Sequence, residues 1–415
     1  METFDWYQIN FLESAAHIKS AIKKFVGIEP KPRIANEIAV CFQQGRMFFE
    51  SAKDAPLQIK PLLIYYGMIG FAKGLVLRKN PKEGLETLVR KHGLKYVSEN
   101  NAKMHELKVK IENEGTFQKF NDVISQMGTV ELVDEINRPF SLGTPFDNST
   151  NLNNKNLSLK DILSRLPSLK GLYKNTFQED IKVLEIKFVY KSEEYIGATK
   201  LKVSCYTEQI FSDLESLKKF IKGLRTNYPF LEKWCFVEAF NHPEGYIFSF
   251  CNIDRKNIDE FSGELIVPDF FSNLISRPIE IEPPKATKGK VIELNSRRFA
   301  PNEIRKLKLK EIIPPLVNIG SIIDPDLLVV EPIEGSYLSG HSLQFLGMYL
   351  LSCLVRYNPQ IWVNAISRRP PASKKQSASD RPVDDTALAI IEKFVDLTLS
   401  EFPKMIVEVF NRKSR

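Results

Sequence analysis

The feature that most constrains the fold of this chain is an apolar run at residues 61–77, PLLIYYGMIGFAKGLVL, the longest in the sequence. Pro61 suits the first turn of a helix, because the backbone N–H groups of that turn have no partner inside the helix. Apolar side chains occupy nearly every face of such a helix, and Lys73 is the only charged residue among them. A helix that is apolar on all sides is covered by other elements of the protein. The run therefore predicts a core helix with further helices packed around it.

A membrane-spanning helix is the alternative, since the run approaches the roughly 20 residues that cross a bilayer. Lys73 and the glycines of the run, and the lack of a second such run, favour a core helix and no membrane association. The N-terminal sequence begins with acidic residues and has no cleavable signal pattern. The five cysteines contain no CxxC pair, which is typical of a reduced compartment and argues against a zinc site. We therefore predict a cytoplasmic protein with no metal and, because no P-loop or GxGxxG occurs, no cofactor.

The chain has 415 residues, which is too long for one ordinary core and suits about two or three domains. We predict a fold that is mainly α with an α+β insertion, in which the N- and C-terminal helices form one helical bundle. The expected parts are an N-terminal helical part at 1–140, a linker at 141–180, a mixed α+β insertion at 181–295 and a C-terminal helical part at 296–415. The linker is predicted from residues 141–158, which are rich in Ser, Thr and Asn.

Alternating side chains predict the strands of the insertion. Residues 181–190 and 199–206 alternate as one strand pair, and residues 234–240 and 245–252 form a second pair. A helix is predicted between the two pairs, at 214–228. The insertion is therefore expected to combine antiparallel hairpins with helix.

A second apolar helix is predicted near the C-terminus, at residues 343–355. It is the only other helix of comparable apolar character, so it is the candidate to cover the run at 61–77. Both segments contain a Gly-Met pair, at Gly67 and at Gly347, and glycine lets two backbones approach closely. We therefore predict that these two helices pack together at the centre of one bundle.

Several short motifs stand out near both ends of the chain. They are Gln44, Arg46, FESA at 49–52, PLLIYYGM at 61–68, AKGL at 72–75, HGL at 92–94 and GMYLLSCLVRYNPQIW at 347–362. These motifs resemble those of the YaaC-like family of bacterial proteins. The resemblance implies one architecture that spans the chain, and it assigns no activity. Its hallmark residues are therefore open to structural as well as catalytic roles.

Polar residues on and near the core helix form a candidate site. Tyr66 and Lys73 are about two turns apart on one face of that helix, and a buried lysine needs a partner or a shifted pKa. Arg46 and Glu50 form an i,i+4 pair on the preceding helix. The candidate catalytic residues are Arg46, Glu50, Tyr66, Lys73 and His92. The alternatives are a structural network that ties helices together and, for His92, a helix C-cap.

A nuclease is the alternative function. Glu185-Ile-Lys187, on a predicted strand, has a Glu-x-Lys form in which the carboxylate binds a metal and the lysine positions water. Asp161 or Asp180 would supply the upstream acid. Helical ribonucleases of prokaryotic conflict systems carry an Arg at a short distance before a His, and none of the five histidines here has that spacing. A ribonuclease of the helical type would therefore need a degenerate form of that motif.

A serine hydrolase is not supported by the GHSLQ segment that contains Ser342. A nucleophile elbow needs Gly two residues after the serine, and Gln344 occupies that place. We predict instead that Ser339 or Ser342 caps the N-terminus of a helix.

Residues 285–310 are the most basic stretch, with nine Lys or Arg residues against only Glu293 and Glu303. Such a charge contacts phosphates without reading sequence, and a solvated linker is the alternative interpretation. The candidate nucleic-acid-binding residues are Arg297, Arg298, Arg305, Lys306 and Lys308. The predicted function is that of a cytosolic interaction or nucleic-acid-associated protein in bacterial stress or phage defence, with a protein partner and the oligomeric state left open.

Overall fold

The structure, a computed structural model, describes residues 6–88, 90–97, 103–127, 129–133, 139–143, 145–190, 199–205, 214–242, 245–251, 313–318, 327–366 and 387–412. In these ranges the helices are α1 (Tyr7–Phe11), α2 (Ala15–Val26), α3 (Pro32–Lys53), α4 (Lys60–Lys79), α5 (Thr116–Ile124), α6 (Leu159–Leu163), α7 (Lys170–Phe177), α8 (Leu214–Asn227), α9 (Gly340–Tyr357), α10 (Pro359–Ile366) and α11 (Leu388–Asn411). The strands are β1 (Leu94–Val97), β2 (Lys108–Ile111), β3 (Thr129–Val133), β4 (Pro139–Gly143), β5 (Asn156–Ser158), β6 (Val183–Tyr190), β7 (Thr199–Cys205), β8 (Cys235–His242), β9 (Gly245–Cys251), β10 (Leu316–Asn318) and β11 (Leu327–Val330). More of the described residues lie in helices than in strands, which confirms a mainly α fold with an α+β insertion.

The chain folds into two compact units, and the first contains both of its ends. Unit 1 consists of Met1–Met127, Asp147–Lys182 and Leu338–Arg415, and unit 2 consists of Gly128–Phe146 and Val183–Tyr337. The N- and C-terminal helices therefore form one helical body, with unit 2 inserted into its sequence, as predicted.

Residues 147–182 belong to the helical unit, which differs from the linker predicted at 141–180. The Ser158 hydroxyl caps α6 by accepting from the Asp161 N–H at 3.0 Å, and Ile162 of this helix is buried. The Ser149 hydroxyl donates to the Gln118 carbonyl at 2.9 Å. Polar residues that suggested a loop therefore serve as a helix cap and as buried hydrogen-bond donors.

Helices α3 and α4 cross at very short range because glycines line both of them at the contact. A Cβ atom on Gly70 would lie 3.0 Å from the Cys41 carbonyl oxygen and 3.0 Å from the Gly45 nitrogen. A Cβ atom on Gly67 would lie 2.5 Å from the Phe49 ring. The glycines of the core helix therefore serve its contact with α3, whereas the sequence analysis assigned Gly67 to the contact with the C-terminal helix.

Helices α4 and α9 pack together, which confirms the predicted pairing of the two apolar helices. Tyr65 of α4 lies edge-on to Phe345 and Tyr349 of α9, and the ring centroids are 5.6 Å apart in each pair. Gly347 instead faces Phe394 of α11, with a ring atom 2.5 Å from where a Cβ would be. Aromatic rings thus join α4 to α9, whereas the nearest neighbours of Gly67 and Gly347 belong to α3 and α11.

Helix α11 covers another side of α3 and α4. Phe410 lies edge-on to Phe42 at 5.5 Å between ring centroids, and Phe402 stacks on Phe49 at 6.2 Å. Arg78, at the end of α4, is only 5% exposed and donates from Nε to the Phe410 carbonyl at 2.8 Å. Burial lowers the pKa of Arg78 to about 10. A cation at the carbonyl end of α11 stabilises that helix terminus.

Helix α4 is therefore the core helix that the sequence predicts. Among the described residues, it is the one helix long and apolar enough to cross a membrane, and 72% of its apolar window is buried inside the protein. Such burial is expected of a helix in the core of the protein.

Unit 2 is built on a six-stranded antiparallel sheet in the order β10-β11-β6-β7-β9-β8. The pairs β6–β7 and β8–β9 are the two strand pairs predicted from the sequence. Leu217 and Ile221 of α8 belong to one buried cluster with Trp234, Phe236 and Phe248. The sequence suggested that the C-terminal helical part begins at residue 296. Because β10 and β11 join this sheet, the C-terminal part of unit 1 begins instead at Leu338.

Candidate functional site

Arg46 and Glu50 lie on α3 and share an ion-pair network with Glu13. The Arg46 guanidinium donates to Glu13 through Nε and through Nη2, and to Glu50 through Nη1 at 2.6 Å. The Arg46 and Glu13 side chains are 21% and 14% exposed. The hydrogen bond with Glu13 raises the pKa of Arg46, so the guanidinium stays charged. This network fastens the turn before α2 onto α3, which is the structural role that the sequence left open.

His92 meets α4 through Tyr65. The Tyr65 hydroxyl and the His92 Nδ1 are hydrogen bonded at 3.0 Å. His92 lies just before β1, and the Tyr349 hydroxyl of α9 donates to the carbonyl of Leu94, the first residue of β1, at 2.9 Å. The His92 and Tyr349 rings are 6.1 Å apart. The turn at His92 is therefore held between the two central helices.

Burial sets the protonation of this histidine–tyrosine pair. Tyr65 is fully buried, and burial raises the pKa of its hydroxyl well above the ordinary value. Burial also lowers the pKa of His92, and the charges of Arg356 and Lys73 lower it further. Both side chains are therefore neutral at neutral pH, because each pKa shift favours the neutral form.

Arg356, near the end of α9, brings a cation to the same region. Its Nε donates to the Ser352 carbonyl at 3.3 Å, and its Nη2 donates to the Ser352 hydroxyl at 3.4 Å. Its guanidinium carbon lies 6.0 Å from the ring centre of Tyr66 and 4.8 Å from that of Tyr357. These side chains form the α4–α9 polar cluster, which consists of Tyr65, Tyr66, His92, Tyr349, Cys353 and Arg356.

The cysteine of this cluster is not an activated nucleophile. Cys353 is fully buried, and burial raises the pKa of its thiol. The Arg356 Nη2 lies 3.6 Å from its Sγ and opposes that shift without reversing it. Reactive cysteines have a lowered pKa, so Cys353 stays a protonated thiol.

Tyr66 and Lys73 are both partly open to solvent. Tyr66 is 36% exposed, and its ring packs beside that of Phe48 at 5.7 Å between centroids. Lys73 is half-buried, so the expectation of a fully buried lysine is wrong. Burial raises the pKa of Cys41 to about 12, and the nearby charge of Lys73 acts against that rise. Lys73 therefore lies close enough to α3 and to His92 to act on both by charge.

Ser339 and Ser342 play structural roles at the start of α9. The Ser339 hydroxyl accepts from the Ser342 N–H at 3.0 Å, which confirms the predicted helix cap. The Ser342 hydroxyl donates to the Asn121 Oδ1 at 2.8 Å. Two residues after Ser342, the Gln344 Nε2 donates to the Glu401 Oε2 at 3.0 Å, and burial raises the pKa of Glu401.

The Glu-x-Lys pattern lies on β6, an inner strand of unit 2, at Glu185 and Lys187. The two candidate upstream acids belong to unit 1. Asp161 takes part in the capping box of α6, and Asp180 pairs with Lys174 at 3.0 Å. Within the ranges that the structure describes, no three His, Cys, Asp or Glu side chains come together as metal ligands. The two upstream acids, Asp161 and Asp180, are thus engaged in local structural contacts.

The basic stretch at 285–310 lies outside the described residues, and with it all five candidate nucleic-acid-binding residues. They are Arg297, Arg298, Arg305, Lys306 and Lys308.

Sequence reasoning missed three contributors to the sites described above, which are Glu13, Tyr65 and Arg356. Glu13 and Tyr65 depend on tertiary contacts that no local spacing reveals. Arg356 had a signal, because it is the single charge at the end of an otherwise apolar helix and is followed by an aromatic residue.

Comparison with known proteins gives one family. The model described as YaaC-like Protein matches residues 10–410 of the chain. No curated protein and no solved structure matches it.

Proposed function

The chain belongs to the YaaC-like protein family, and we propose that it is a non-enzymatic, cytoplasmic protein that binds nucleic acid through residues 285–310. We extend the proposal to a role in bacterial stress or phage defence, which rests on the helical architecture alone. The proposal itself has a firmer support, which is the distribution of charge along the chain.

The charge distribution is the observation that carries the proposal. Residues 285–310 contain nine basic and two acidic residues, a net charge of +7, and the whole chain also has a net charge of +7. The remainder of the chain is therefore electrically balanced, and the entire excess lies in one short stretch. A concentrated positive charge binds phosphates and releases their counterions, which gives affinity that depends on salt and not on sequence.

The protonation of the α4–α9 polar cluster supports binding over catalysis. A general acid or base works best with a pKa near the working pH. Burial instead raises the pKa of Tyr65 and lowers that of His92. Both shifts favour the neutral form of the side chain. The histidine and tyrosine of this pair are neutral groups held in place, which suits positioning rather than proton transfer.

The salt dependence of binding tests the proposal. We expect duplex DNA and single-stranded RNA to bind the protein with an affinity that falls as salt rises. The quadruple variant Arg297→Ala, Arg298→Ala, Lys306→Ala and Lys308→Ala should lose up to about four phosphate contacts. The slope of log affinity against log salt should then flatten by up to about 3.6 for duplex DNA and about 2.8 for single strands.

A matched control removes the same charge elsewhere. Lys53, Lys82, Lys219 and Lys222 are exposed, and changing all four to Ala also lowers the net charge by four. The control should leave most of the slope intact. An unchanged slope in the first variant, or equal losses in both variants, would contradict a dedicated role for 285–310.

The nuclease alternative is tested in the same samples. RNA and DNA should remain intact with and without Mg²⁺ under the proposed function. Degradation that disappears in Lys187→Ala or in His92→Ala would overturn the non-enzymatic assignment.

A further inference from the structure

The guanidinium of Arg356 lies near two exposed aromatic rings. Tyr66 is 36% exposed and Tyr357 is 66% exposed, and the guanidinium carbon is within 6.0 Å of both ring centres. Phe48 supports the Tyr66 ring from α3. The surface therefore presents two aromatic rings close to one cation, all within unit 1.

The charge of Arg356 has no carboxylate counterpart in the part of the chain that the structure describes. Its Nε and Nη2 donate to Ser352 and to the Cys353 sulfur, which are neutral groups. Among the described residues none forms a hydrogen bond with its Nη1. The two N–H donors of Nη1 are therefore available to a ligand. A half-buried guanidinium without a carboxylate partner is stabilised when an anion binds to it.

A second cation extends the positive potential. Lys73 is half-buried, and no carboxylate of the described residues forms an ion pair with it. Lys73 and Arg356 both act by charge on His92. An anion bound at Arg356 would therefore lie in the positive potential of both Arg356 and Lys73.

We propose that Tyr66, Arg356 and Tyr357 form a binding site for a nucleoside phosphate, in which a base stacks on a tyrosine ring and the phosphate pairs with the guanidinium. The ligand is either a free nucleotide or one unit of a single-stranded nucleic acid, because both present the same base and phosphate. The second case rests on the proposed function, and the first does not.

The chemistry of the three side chains favours this class of ligand. Exposed aromatic rings stack bases of any sequence, since every base has a π face. Arginine presents a planar fork that matches the oxygens of a phosphate and also stacks on aromatic planes. An acidic peptide would satisfy the charge of Arg356 but would leave the two flanking rings without a planar partner.

Titration with adenosine monophosphate, adenosine and inorganic phosphate tests the site in the full-length protein. We expect the nucleotide to bind at least ten-fold more tightly than either adenosine or phosphate. Arg356→Ala should weaken nucleotide binding at least ten-fold and change adenosine binding little. Tyr357→Ala should weaken the binding of both nucleotide and adenosine, whereas Tyr357→Phe keeps the ring and should retain the binding. Tyr7→Ala removes another exposed tyrosine, 75% exposed on α1, and should have no effect.

The pKa of His92 gives a second measurement, which reports where the phosphate binds and not only how tightly. The charge of Arg356 lowers the pKa of His92, so a phosphate at Arg356 should offset that charge and raise the His92 pKa. Nuclear magnetic resonance of the imidazole, assigned with His92→Gln, measures the shift. Arg356→Lys keeps the positive charge but lacks the planar guanidinium, and it serves as the control if Arg356→Ala does not fold. It should bind nucleotide more weakly than the parent and more tightly than Arg356→Ala.

The outcomes separate this site from the proposed function. The quadruple variant at 285–310 should bind adenosine monophosphate as the parent does. If the quadruple variant leaves the salt slope unchanged but Arg356→Ala and Tyr357→Ala abolish nucleotide binding, the site stands and the proposed function fails. Binding of the single strand alone, lost in the same two variants, identifies the strand as the ligand. Absence of binding by both nucleotide and strand, or binding unchanged in both variants, overturns the site, as does a change in self-association alone.

Discussion

The close crossing of α3 and α4 gives a sharp expectation for Gly70→Ala. A Cβ at this position meets the Cys41 carbonyl oxygen and the Gly45 nitrogen at 3.0 Å, and the Gly45 Cα at 3.1 Å. These neighbours are all backbone atoms, so no side chain can rotate away to make room. The new methyl group must therefore push the two helices apart.

The size of the effect follows from two opposing terms. Inserting a methyl group into a well-packed core costs about 1–3 kcal/mol. The cost should be near the upper end of this range here, because the neighbouring atoms are backbone atoms. Replacing Gly by Ala inside a helix returns about 0.5–1 kcal/mol. The net expectation for Gly70→Ala is a loss of about 2 kcal/mol. For a unit of this size that corresponds to a fall in melting temperature of about 4–8 °C.

Gly171→Ala is the matched control in the same unit. Nothing lies within 4 Å of a Cβ at Gly171, which is in α7. That variant should be unchanged or stabilised by up to about 1 kcal/mol. Thermal and chemical unfolding of the parent and both variants measures the difference. Gly70→Ala as stable as the parent would refute the backbone contact between α3 and α4.

Three further expectations follow from the contacts described above. Arg46→Ala should lower the free energy of unfolding by about 1–3 kcal/mol, because it leaves the shielded Glu13 without its charged donor; an unchanged denaturant midpoint would contradict this. Glu401→Gln should match the parent below pH 4.5 and become relatively more stable as pH rises, because burial raises the pKa of Glu401 and ionisation then costs folding energy; parallel stability curves across pH would be the opposing result. A fragment of residues 1–300 lacks α9 and α11 and should be insoluble, since α4 loses its cover; a soluble fragment that unfolds cooperatively would show otherwise.

The sequence was sufficient for the placement of the core helix and for its main partner. Residues 62–77 are apolar on nearly every face, which predicts a buried helix, and 343–355 is the matching segment. The contact surfaces between helices were not predictable in the same way. Gly67 and Gly347 occupy similar motifs but face α3 and α11 respectively, and this choice depends on the rotation of each helix in the assembled unit.

The linker prediction failed for a related reason. Composition does not distinguish a solvated Ser or Asn from one that caps a helix or donates to a buried carbonyl. Ser149 and Ser158 are of the second kind. The few apolar residues between them, such as Leu157, are buried and tie this segment to unit 1.

The candidate site was predicted in part. Arg46 and Glu50 form the expected i,i+4 pair, because that geometry is local to one helix. The predicted site contained Tyr66, whereas His92 is hydrogen bonded to Tyr65. Adjacent residues point about 100° apart around the helix axis, and the spacing along the chain did not show which tyrosine would face His92. Arg356 comes from the far end of the chain, and no spacing within one helix could assign it to this cluster.

The most direct test of the account is whether the two ends of the chain share one core. Phe42 of α3 and Phe410 of α11 are both fully buried and meet edge-on at 5.5 Å. A double-mutant cycle with Phe42→Leu and Phe410→Leu measures their coupling in the free energy of unfolding. We expect a coupling of about 0.5–1.5 kcal/mol, as for aromatic pairs in contact. Losses that add to within about 0.3 kcal/mol would mean that the two residues do not meet, and would contradict a single body built from both ends.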